Sequence, residues 1–281
     1  MRLGIEDPAA LIQGVFVALL AATAWFQRLR LKRRLNTTAL AAIAMGVIVL
    51  ARWSSHWVNP VAASILRDWL PVLLMLFPYW QIGQFFTKAD PVAEKRLAMF
   101  DHAFFRALGI APAKTPISTA AGVYLELCYL LVYPLIPLGL AALYVTNATR
   151  FVNYYWVVVL LATYICFAIT PFVRAMPPRA LESYEKFRMP QCKLGALNRF
   201  ILRRGSIQAI TFPSAHVASA MAAGLVLLRI EPWTGLIFLL IGVSIAIATV
   251  VGGYHYAADS LLASLIAIMV FAATFHTLRA G

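Results

Sequence analysis

Two short polar motifs each stand just before a long apolar run near the end of the chain. Ser214 and His216 lie in TFPSAHVASA, and His255 and Asp259 lie in GGYHYAADSL. Residues four apart share one face of a helix, so the Asp259 carboxylate can hold one nitrogen of the His255 imidazole. The other ring nitrogen then stays free as a nucleophile or a base. The alternative is a buried His–Asp hydrogen bond that only packs the helices.

The Ser214 and His216 motif predicts a site for an anion. Pro213 precedes it, and proline is favoured in the first turn of a helix. Backbone N–H groups and the positive end of the helix dipole at such a terminus attract phosphate. The Ser214 hydroxyl and the His216 imidazole can add to that attraction. The alternative is that Ser214 only caps the helix and His216 only lies at the membrane interface.

Several charged residues are further candidates for binding a substrate. Arg179, in MPPRALE, carries a planar guanidinium that can contact two phosphate oxygens at once, or it is an ordinary basic loop residue. Arg203 and Arg204 are secondary candidates for the same role. Glu126 is a rare carboxylate within an apolar span, where it can orient a catalytic or substrate group, or bond a tyrosine or a helix backbone.

The composition indicates an integral membrane protein. Of the 281 residues, 62% are hydrophobic and 12% are charged, and the mean hydropathy is +0.79. The net charge is +13, but the basic residues lie in loops between apolar runs. Membrane topology, anionic headgroups or an anionic substrate explain this pattern better than nucleic acid does. The three cysteines have no metal-like spacing, and paired carboxylates and a Gly-rich nucleotide loop are lacking, so we expect no metal and no cofactor.

The apolar runs predict an all-α, polytopic membrane helix bundle with about eight transmembrane helices. We expect residues 1–60 to form an N-terminal transmembrane hairpin and residues 61–281 to form a six-helix core. The predicted spans are Ala9–Phe26, Thr38–Trp53, Trp69–Phe86, Ile117–Val145, Tyr154–Val173, Pro213–Leu228, Trp233–Val251 and Tyr256–Thr277.

Two connecting segments are long. In Thr87–Pro116, apolar residues recur at helical spacing between charges, which predicts an amphipathic helix in the membrane interface, with a polar loop as the alternative. The residues of that predicted apolar stripe are Leu97, Phe100, Phe104 and Leu108. The second segment, Arg174–Thr211, is strongly basic and leads into the Ser214 and His216 motif.

Taken in order, PPR, FPSAHVASA and GGYHYAAD resemble the type 2 phosphatidic acid phosphatase superfamily. The segments FDHAFFRALGIAP and YLELCYLLVYPLIP look closest to its inositol phosphorylceramide synthase-like branch, in a bacterial member. The resemblance implies a six-helix core in which His255 is the nucleophile and Asp259 orients it. It further implies that His216 protonates the leaving oxygen, and that Ser214 and Arg179 hold the phosphate.

The chain departs from the family pattern at three places. Ala215 stands where the second motif usually has glycine, Ala248 and Thr249 stand where the third motif usually has Ser-Arg, and Phe172 stands where the first motif usually has lysine. The synthase-like branch shares these departures. The loss of two cations makes hydrolysis of simple phosphomonoesters less favoured and transfer chemistry more favoured.

We therefore expect a metal-independent lipid phosphotransferase that moves a phosphate-containing group from a lipid to an alcohol acceptor through a phosphohistidine. A lipid phosphate or pyrophosphate phosphatase, with water as acceptor, is the first alternative. A lipid transporter or flippase is the second, because carriers use intramembrane acids and histidines, although here the polar groups lie at span ends. A catalytically inactive scaffold is the third. The expected partners are a lipid phosphate, the acceptor and membrane lipids; the sequence does not indicate an oligomeric state.

The distribution of basic residues and the family resemblance predict different membrane faces for the active site. The basic segments after the first, third and fifth spans fall on one side, which the positive-inside rule assigns to the cytoplasm. The family usually works on the periplasmic or lumenal face. The expected location is the bacterial cytoplasmic membrane. The positive-inside rule predicts an active site on the cytoplasmic face, and the family resemblance predicts the periplasmic face.

Overall fold

The computed structural model describes residues 7–27, 29–182, 184–207 and 209–275, apart from the side chain of residue 55, and these residues contain α-helices and no β-strand. The helices are α1 (Pro8–Phe26), α2 (Leu31–Trp53), α3 (Pro60–Leu74), α4 (Leu76–Phe85), α5 (Pro91–Ala107), α6 (Thr119–Val145), α7 (Val152–Ile169), α8 (Lys193–Gly205), α9 (Ala215–Ile230), α10 (Pro232–Val251) and α11 (Ala257–Thr274).

The structure confirms an all-α polytopic membrane bundle. Among the described residues, seven helical segments are long and apolar enough to cross a membrane, with α3 and α4 together forming one of them, and α9 is a shorter apolar helix. The second span is longer than predicted, because α2 already begins at Leu31. Its basic first turn is held by Arg33, whose Nη1 donates to the carbonyls of Gln84 and Phe86. The last two residues of the predicted final span, 276 and 277, lie outside the described residues.

The centre of the bundle is α9, which packs against α10, α7, α11 and α6. Two glycines let α9 and α10 approach backbone to backbone. A Cβ added at Gly224 would lie 2.8 Å from the backbone of Leu239, and one added at Gly235 would lie 1.9 Å from the Leu228 nitrogen. Small residues at such contacts are typical of packed membrane helices, and here they join the middle and the C-terminal part of α9 to α10.

Buried amide side chains join the N-terminal helices to one another. Gln81 of α4 donates from Nε2 to the carbonyls of Val17 and Thr37, and Gln13 of α1 donates to the carbonyl of Pro71. Because polar groups inside a membrane must find partners within the protein, these bonds fix α1, α2, α3 and α4 as one unit.

The connecting segments 86–118 and 173–214 lie at the end of the bundle where α6, α9 and α11 begin. In the first of them, α5 forms where the amphipathic helix is predicted, but its buried residues are Leu97, Asp101 and Phe105. Phe100 and Leu108, from the predicted apolar stripe, are instead exposed on the outer surface. The buried face of α5 contains a carboxylate because that carboxylate bonds the first turn of α11.

The second connecting segment contains α8, a helix that the sequence analysis does not predict. It packs against α6, and its buried residues are Gly195, Asn198 and Leu202. This i, i+3, i+7 spacing is helical, but it is short and includes an asparagine, so the pattern is weak in the sequence. As a result, the basic run before the Ser214 and His216 motif is partly a helix that closes over the end of α6.

Candidate active site

His255 and Asp259 form the predicted pair. His255 lies in the turn between α10 and α11, and its Nδ1 is 3.0 Å from Oδ2 of Asp259. Both residues are buried. The His255 backbone N–H donates to the carbonyl of Thr249 at 2.9 Å, and the Tyr256 backbone N–H donates to the same Asp259 oxygen at 3.2 Å. The carboxylate therefore holds the ring through Nδ1 and leaves Nε2 for chemistry.

His255 is neutral at physiological pH. Burial, and to a smaller extent the positive charge of Arg179, lower the pKa of this imidazole to about 3. A neutral ring keeps the lone pair on Nε2, which is the form that attacks an electrophile.

His216 lies in the first turn of α9 and faces His255. The two ring centroids are 6.3 Å apart with an interplanar angle of 84°. Both rings line one cavity of about 140 Å³, together with Arg179 and Tyr254. The space between the rings can hold one phosphate group, with one imidazole on each side of it.

Arg179 reaches this cavity from the segment after α7. Its backbone N–H donates to the carbonyl of Gly253 at 2.9 Å. Gly253 has φ of +67°, and a Cβ there would lie 3.2 Å from the Arg179 Cβ, so a glycine is needed for both conformation and space. Nη1 of Arg179 is buried and has no hydrogen-bond partner among the described residues. A buried cationic donor without a partner favours an anionic ligand.

Tyr254 holds the Arg179 guanidinium in place. The Tyr254 ring lies between Tyr129, stacked at 3.7 Å, and the guanidinium carbon, 4.5 Å from the ring centroid. Its hydroxyl donates to Oε2 of Glu126 at 2.8 Å, and Asn198 donates to the same oxygen at 2.7 Å. Burial and the neighbouring Glu126 raise the pKa of Tyr254, so the hydroxyl stays a donor. Glu126 is therefore bonded to a tyrosine behind the cavity and does not line it.

The other predicted binding residues lie outside the lining of the cavity. Ser214 is fully buried and is the N-cap of α9, where its Oγ accepts from the Val217 N–H at 3.5 Å. The helix begins after this cap, so Pro213 stands just before it and not in its first turn. Arg203 and Arg204 lie in the last turn of α8, and the Arg204 guanidinium carbon lies 4.4 Å from the Phe200 ring centroid.

Asp101 of α5 is a residue of the site that was not predicted from the sequence. Its Oδ1 accepts from the N–H groups of Ala257 and Ala258, at 2.9 and 3.4 Å, and its Oδ2 accepts from the hydroxyl of Tyr184. Burial raises the pKa of Asp101 to about 6. It thus holds the first turn of α11 directly beside His255. The only signal was an acidic residue between Leu97 and Phe105 at four-residue spacing, within FDHAFFRALG.

The positions that depart from the family pattern place no cationic side chain in the cavity. Phe172 is 72% exposed. Thr249 is buried, and its hydroxyl bonds that of Ser260 at 3.0 Å. Among the described residues that line the cavity, Arg179 is the one lysine or arginine.

A comparison with known protein families identifies the family of the chain. The model of the PAP2 superfamily matches residues 97–273, a segment that contains Arg179, His216, His255 and Asp259. Neither a comparison with curated proteins nor one with solved structures found a match. Since the matched segment is well over half of the chain and contains both facing histidines, the chain belongs to the PAP2 superfamily.

Proposed function

We propose that the protein is a lipid phosphotransferase that carries the transferred group covalently on His255. Membership in the PAP2 superfamily indicates a lipid enzyme of the phosphatase or phosphotransferase type. One observation carries the finer proposal: two imidazoles face each other across a small cavity that is also lined by Arg179, whose buried Nη1 has no hydrogen-bond partner among the described residues. That set combines a nucleophile, an acid–base group and an anion ligand within reach of one phosphorus atom.

In the first half of the reaction, Nε2 of His255 attacks phosphorus and forms a P–N bond. The P–O bond to the leaving alcohol breaks and its electron pair stays on that oxygen. His216, which enters this step as the imidazolium, supplies the proton and becomes neutral. In the second half an acceptor hydroxyl gives its proton to His216 and attacks phosphorus, and the P–N electrons return to Nε2. Asp259 keeps the Nδ1 proton in place, and Arg179 stabilises the charge on the equatorial oxygens.

The charge of the site favours transfer from a phosphodiester. A phosphomonoester carries between about −1.5 and −2 charges at neutral pH, whereas a phosphodiester carries a single negative charge. The cavity offers one guanidinium among its described lining residues. A donor lipid whose headgroup is linked through a phosphodiester therefore matches the site better than a lipid monophosphate does. Hydrolysis shares the same first half and differs only in using water as the acceptor.

The proposal is tested by product analysis on the purified protein in mixed micelles. Lipid phosphodiesters and monophosphates are supplied with and without alcohol acceptors, and products are separated by thin-layer chromatography. We expect an acceptor-dependent phospholipid product, and a P–N adduct on the His255 peptide that survives an alkaline quench and is found by mass spectrometry. Release of inorganic phosphate with no acceptor product would favour the phosphatase instead.

A matched pair of variants completes this test. His255→Gln keeps the size of the side chain and removes the nucleophile, whereas His56→Gln changes an exposed histidine outside the candidate site. We expect loss of turnover and of the adduct in the first and wild-type behaviour in the second. Turnover in a folded His255→Gln protein that equals that of His56→Gln would contradict a covalent mechanism.

We further propose that the site opens on the cytoplasmic side, since most basic residues of the chain lie in segments at its end of the bundle. Single cysteines at positions 30 and 206 can be labelled with a membrane-impermeant maleimide in a chain carrying Cys192→Ser, where serine keeps the N-cap of α8. We expect labelling only after permeabilisation. Labelling in intact cells would assign the site to the outer face.

A further inference from the structure

A second, apolar cavity adjoins the cavity that is lined by His216 and His255, which we call the catalytic cavity. Its volume is about 350 Å³, within the range of ligand pockets. Its walls come from α3, α4, α6, α7, α8 and α9, and no charged side chain is among the described residues that line it. Leu76, Trp80 and Tyr133 on its rim are each between 42% and 44% exposed. In a membrane this rim faces lipid, so the cavity is open to hydrocarbon.

The apolar cavity and the catalytic cavity adjoin and share part of their wall. Four residues line both of them: Tyr79, Leu202, Ser206 and His216. His255 lines only the catalytic cavity. The apolar cavity therefore borders His216 and does not border His255.

This asymmetry identifies which part of the ligand is apolar. In phosphoryl transfer the attacking and leaving atoms lie roughly in line on opposite sides of phosphorus. If His255 attacks from one side, the alcohol oxygen that leaves or arrives is on the His216 side. That is the side on which the apolar cavity opens, so the alcohol that His216 protonates or deprotonates is the one that carries the hydrocarbon.

The outer wall of the apolar cavity lies outside the segment that matches the PAP2 superfamily. That wall is formed by Val72 of α3, by Met75 between the two helices, and by Leu76, Tyr79 and Trp80 of α4. The match begins only at residue 97. The two helices are separated by a break at Met75, four residues after Pro71. The N-terminal helices are thus part of the binding surface as well as part of the membrane bundle.

Helix α4 is also joined to the segment that leads to His216. The Ile207 backbone N–H donates to the Tyr79 hydroxyl at 3.1 Å. A Cβ added at Gly83 would lie 2.6 Å from Cγ2 of Ile207, so the helix and this segment are in close contact. The N-terminal unit therefore positions the entrance to the catalytic cavity directly.

We propose that the apolar cavity holds the hydrocarbon chain of the alcohol that leaves or accepts the phosphate, and that α3 and α4 set the chain length it takes. The inference rests on the proposed function, and it specifies the lipid half of the substrate as a long-chain alcohol or an acyl-bearing glycerol or amino alcohol. Val72 lies about two helical turns, or about 10 Å, along the wall from Tyr79, and so it is suited to limit that length.

Chain-length selectivity tests the proposal. The lipid that turns over best in the product assay is prepared with short and with long chains, and the ratio of kcat/KM values is measured. Val72→Phe fills the cavity and should lower the long-to-short ratio about tenfold, the effect expected of a methylene or two in a pocket. Val72→Ala enlarges the cavity and should raise the ratio, which keeps the test valid if the larger residue fails to fold.

Leu73→Phe is the matched control. Leu73 is next in the chain, is 62% exposed and does not line the cavity, so this variant should keep the wild-type ratio. If Val72→Phe and Leu73→Phe give the same ratio as the wild type while turnover persists, the tail site is wrong and the proposed function stands.

A binding measurement tests the tail site even if the proposed function is wrong. Phosphatidylglycerol, a phosphodiester lipid, with a diazirine in its acyl chain is photolysed with the full-length His255→Gln protein, and the labelled peptides are identified. Label concentrated on 72–80 and lost in Leu76→Trp supports the tail site even if no lipid phosphate turns over. Label spread evenly over the outer helices, unchanged in Leu76→Trp, overturns it.

Discussion

The two histidines that face each other across the catalytic cavity have very different surroundings. His255 is bonded at Nδ1 by Asp259 and at its backbone by Thr249, and α11 beside it is held by Asp101. The ring of His216 makes no hydrogen bond to any described residue; it has the edge of Tyr133 at 6.3 Å and the apolar cavity beside it.

The difference matches the two roles that we propose for these residues. A nucleophile must point along one line toward phosphorus, and small errors in direction are costly. An acid–base group that serves a hydrocarbon-bearing alcohol needs space for that alcohol. We therefore expect changes on the His255 side to slow the reaction with every lipid, and changes on the His216 side to alter which lipid reacts.

The largest expected effect on the His255 side is that of Asp259→Asn. The substitution keeps the size of the side chain but no longer favours the Nδ1–H tautomer, so kcat should fall by about 10³- to 10⁴-fold with all lipids tested. Steady-state kinetics on folded protein, verified by circular dichroism and gel filtration, measure this. A fall of less than about tenfold would support the alternative in which the His–Asp bond only packs the helices.

Asp101→Asn tests how the Asp101 carboxyl on α5 makes folding stability depend on pH. Burial raises the pKa of Asp101 to about 6 from 3.8, so the folded protein binds this proton more tightly than the unfolded chain does. Protonated Asp101 therefore adds to the free energy of unfolding. This stabilisation is complete below about pH 4, and up to about 3 kcal/mol of it is lost as the pH rises through about 6.

This pH dependence is measured by thermal unfolding in detergent between about pH 4 and pH 7. Relative to Asp101→Asn, which has no carboxyl to titrate and keeps an acceptor for the Ala257 N–H, the wild type should lose stability with rising pH. A constant difference between the two proteins across that range contradicts the assignment.

Tyr254→Phe tests how firmly Arg179 is held. The variant keeps the ring between Tyr129 and the guanidinium but removes the bond to Glu126, and a lost buried bond of this kind costs about 1 to 2 kcal/mol. We expect kcat/KM to fall about tenfold for all lipids. Tyr124→Phe is the matched control, because it loses a bond to Ser244 outside the cavity. Equal effects of the two variants would assign Tyr254 a purely structural role.

The smallest expected effect is that of Ser214→Ala. Because the Ser214 hydroxyl caps α9, its removal should lower the free energy of unfolding by about 1 kcal/mol and change kcat only a few-fold. Thermal unfolding and steady-state kinetics on the same preparation measure both. A large fall in kcat with unchanged stability would instead support direct phosphate binding by this hydroxyl.

Local spacing predicted well those features that depend on neighbours along the chain. The apolar runs predicted the helices because about 20 apolar residues are needed to cross the hydrocarbon. Spacing along the chain also predicted the bond between His255 and Asp259, which are four residues apart, although His255 lies in the turn before α11 and only Asp259 lies in the helix. The boundaries were less accurate: α2 extends into basic residues because Arg33 finds its acceptors on α4, far away in sequence.

The remaining features depend on contacts between distant segments. The bond from Ala257 to Asp101 joins residues 156 apart, and that from Tyr254 to Glu126 joins residues 128 apart. No local pattern shows that Asp101 serves the site or that Glu126 stands behind it. Likewise, the sequence does not show which way an arginine outside the spans points. Only the packed structure shows that Arg179 lines the cavity and that Arg203 and Arg204 do not.

By itself the sequence determined that the chain is a helical membrane bundle and that a His–Asp pair and a second histidine stand at helix starts. Both follow from hydrophobic length and from the 3.6-residue period of the helix, which act over a few turns. Only the tertiary structure brought His216 and His255 to one cavity, turned Ser214 inward as a cap, and placed α3 and α4 against the apolar cavity. Those outcomes depend on how helices pack across the bundle, and packing is a property of surfaces that meet in space.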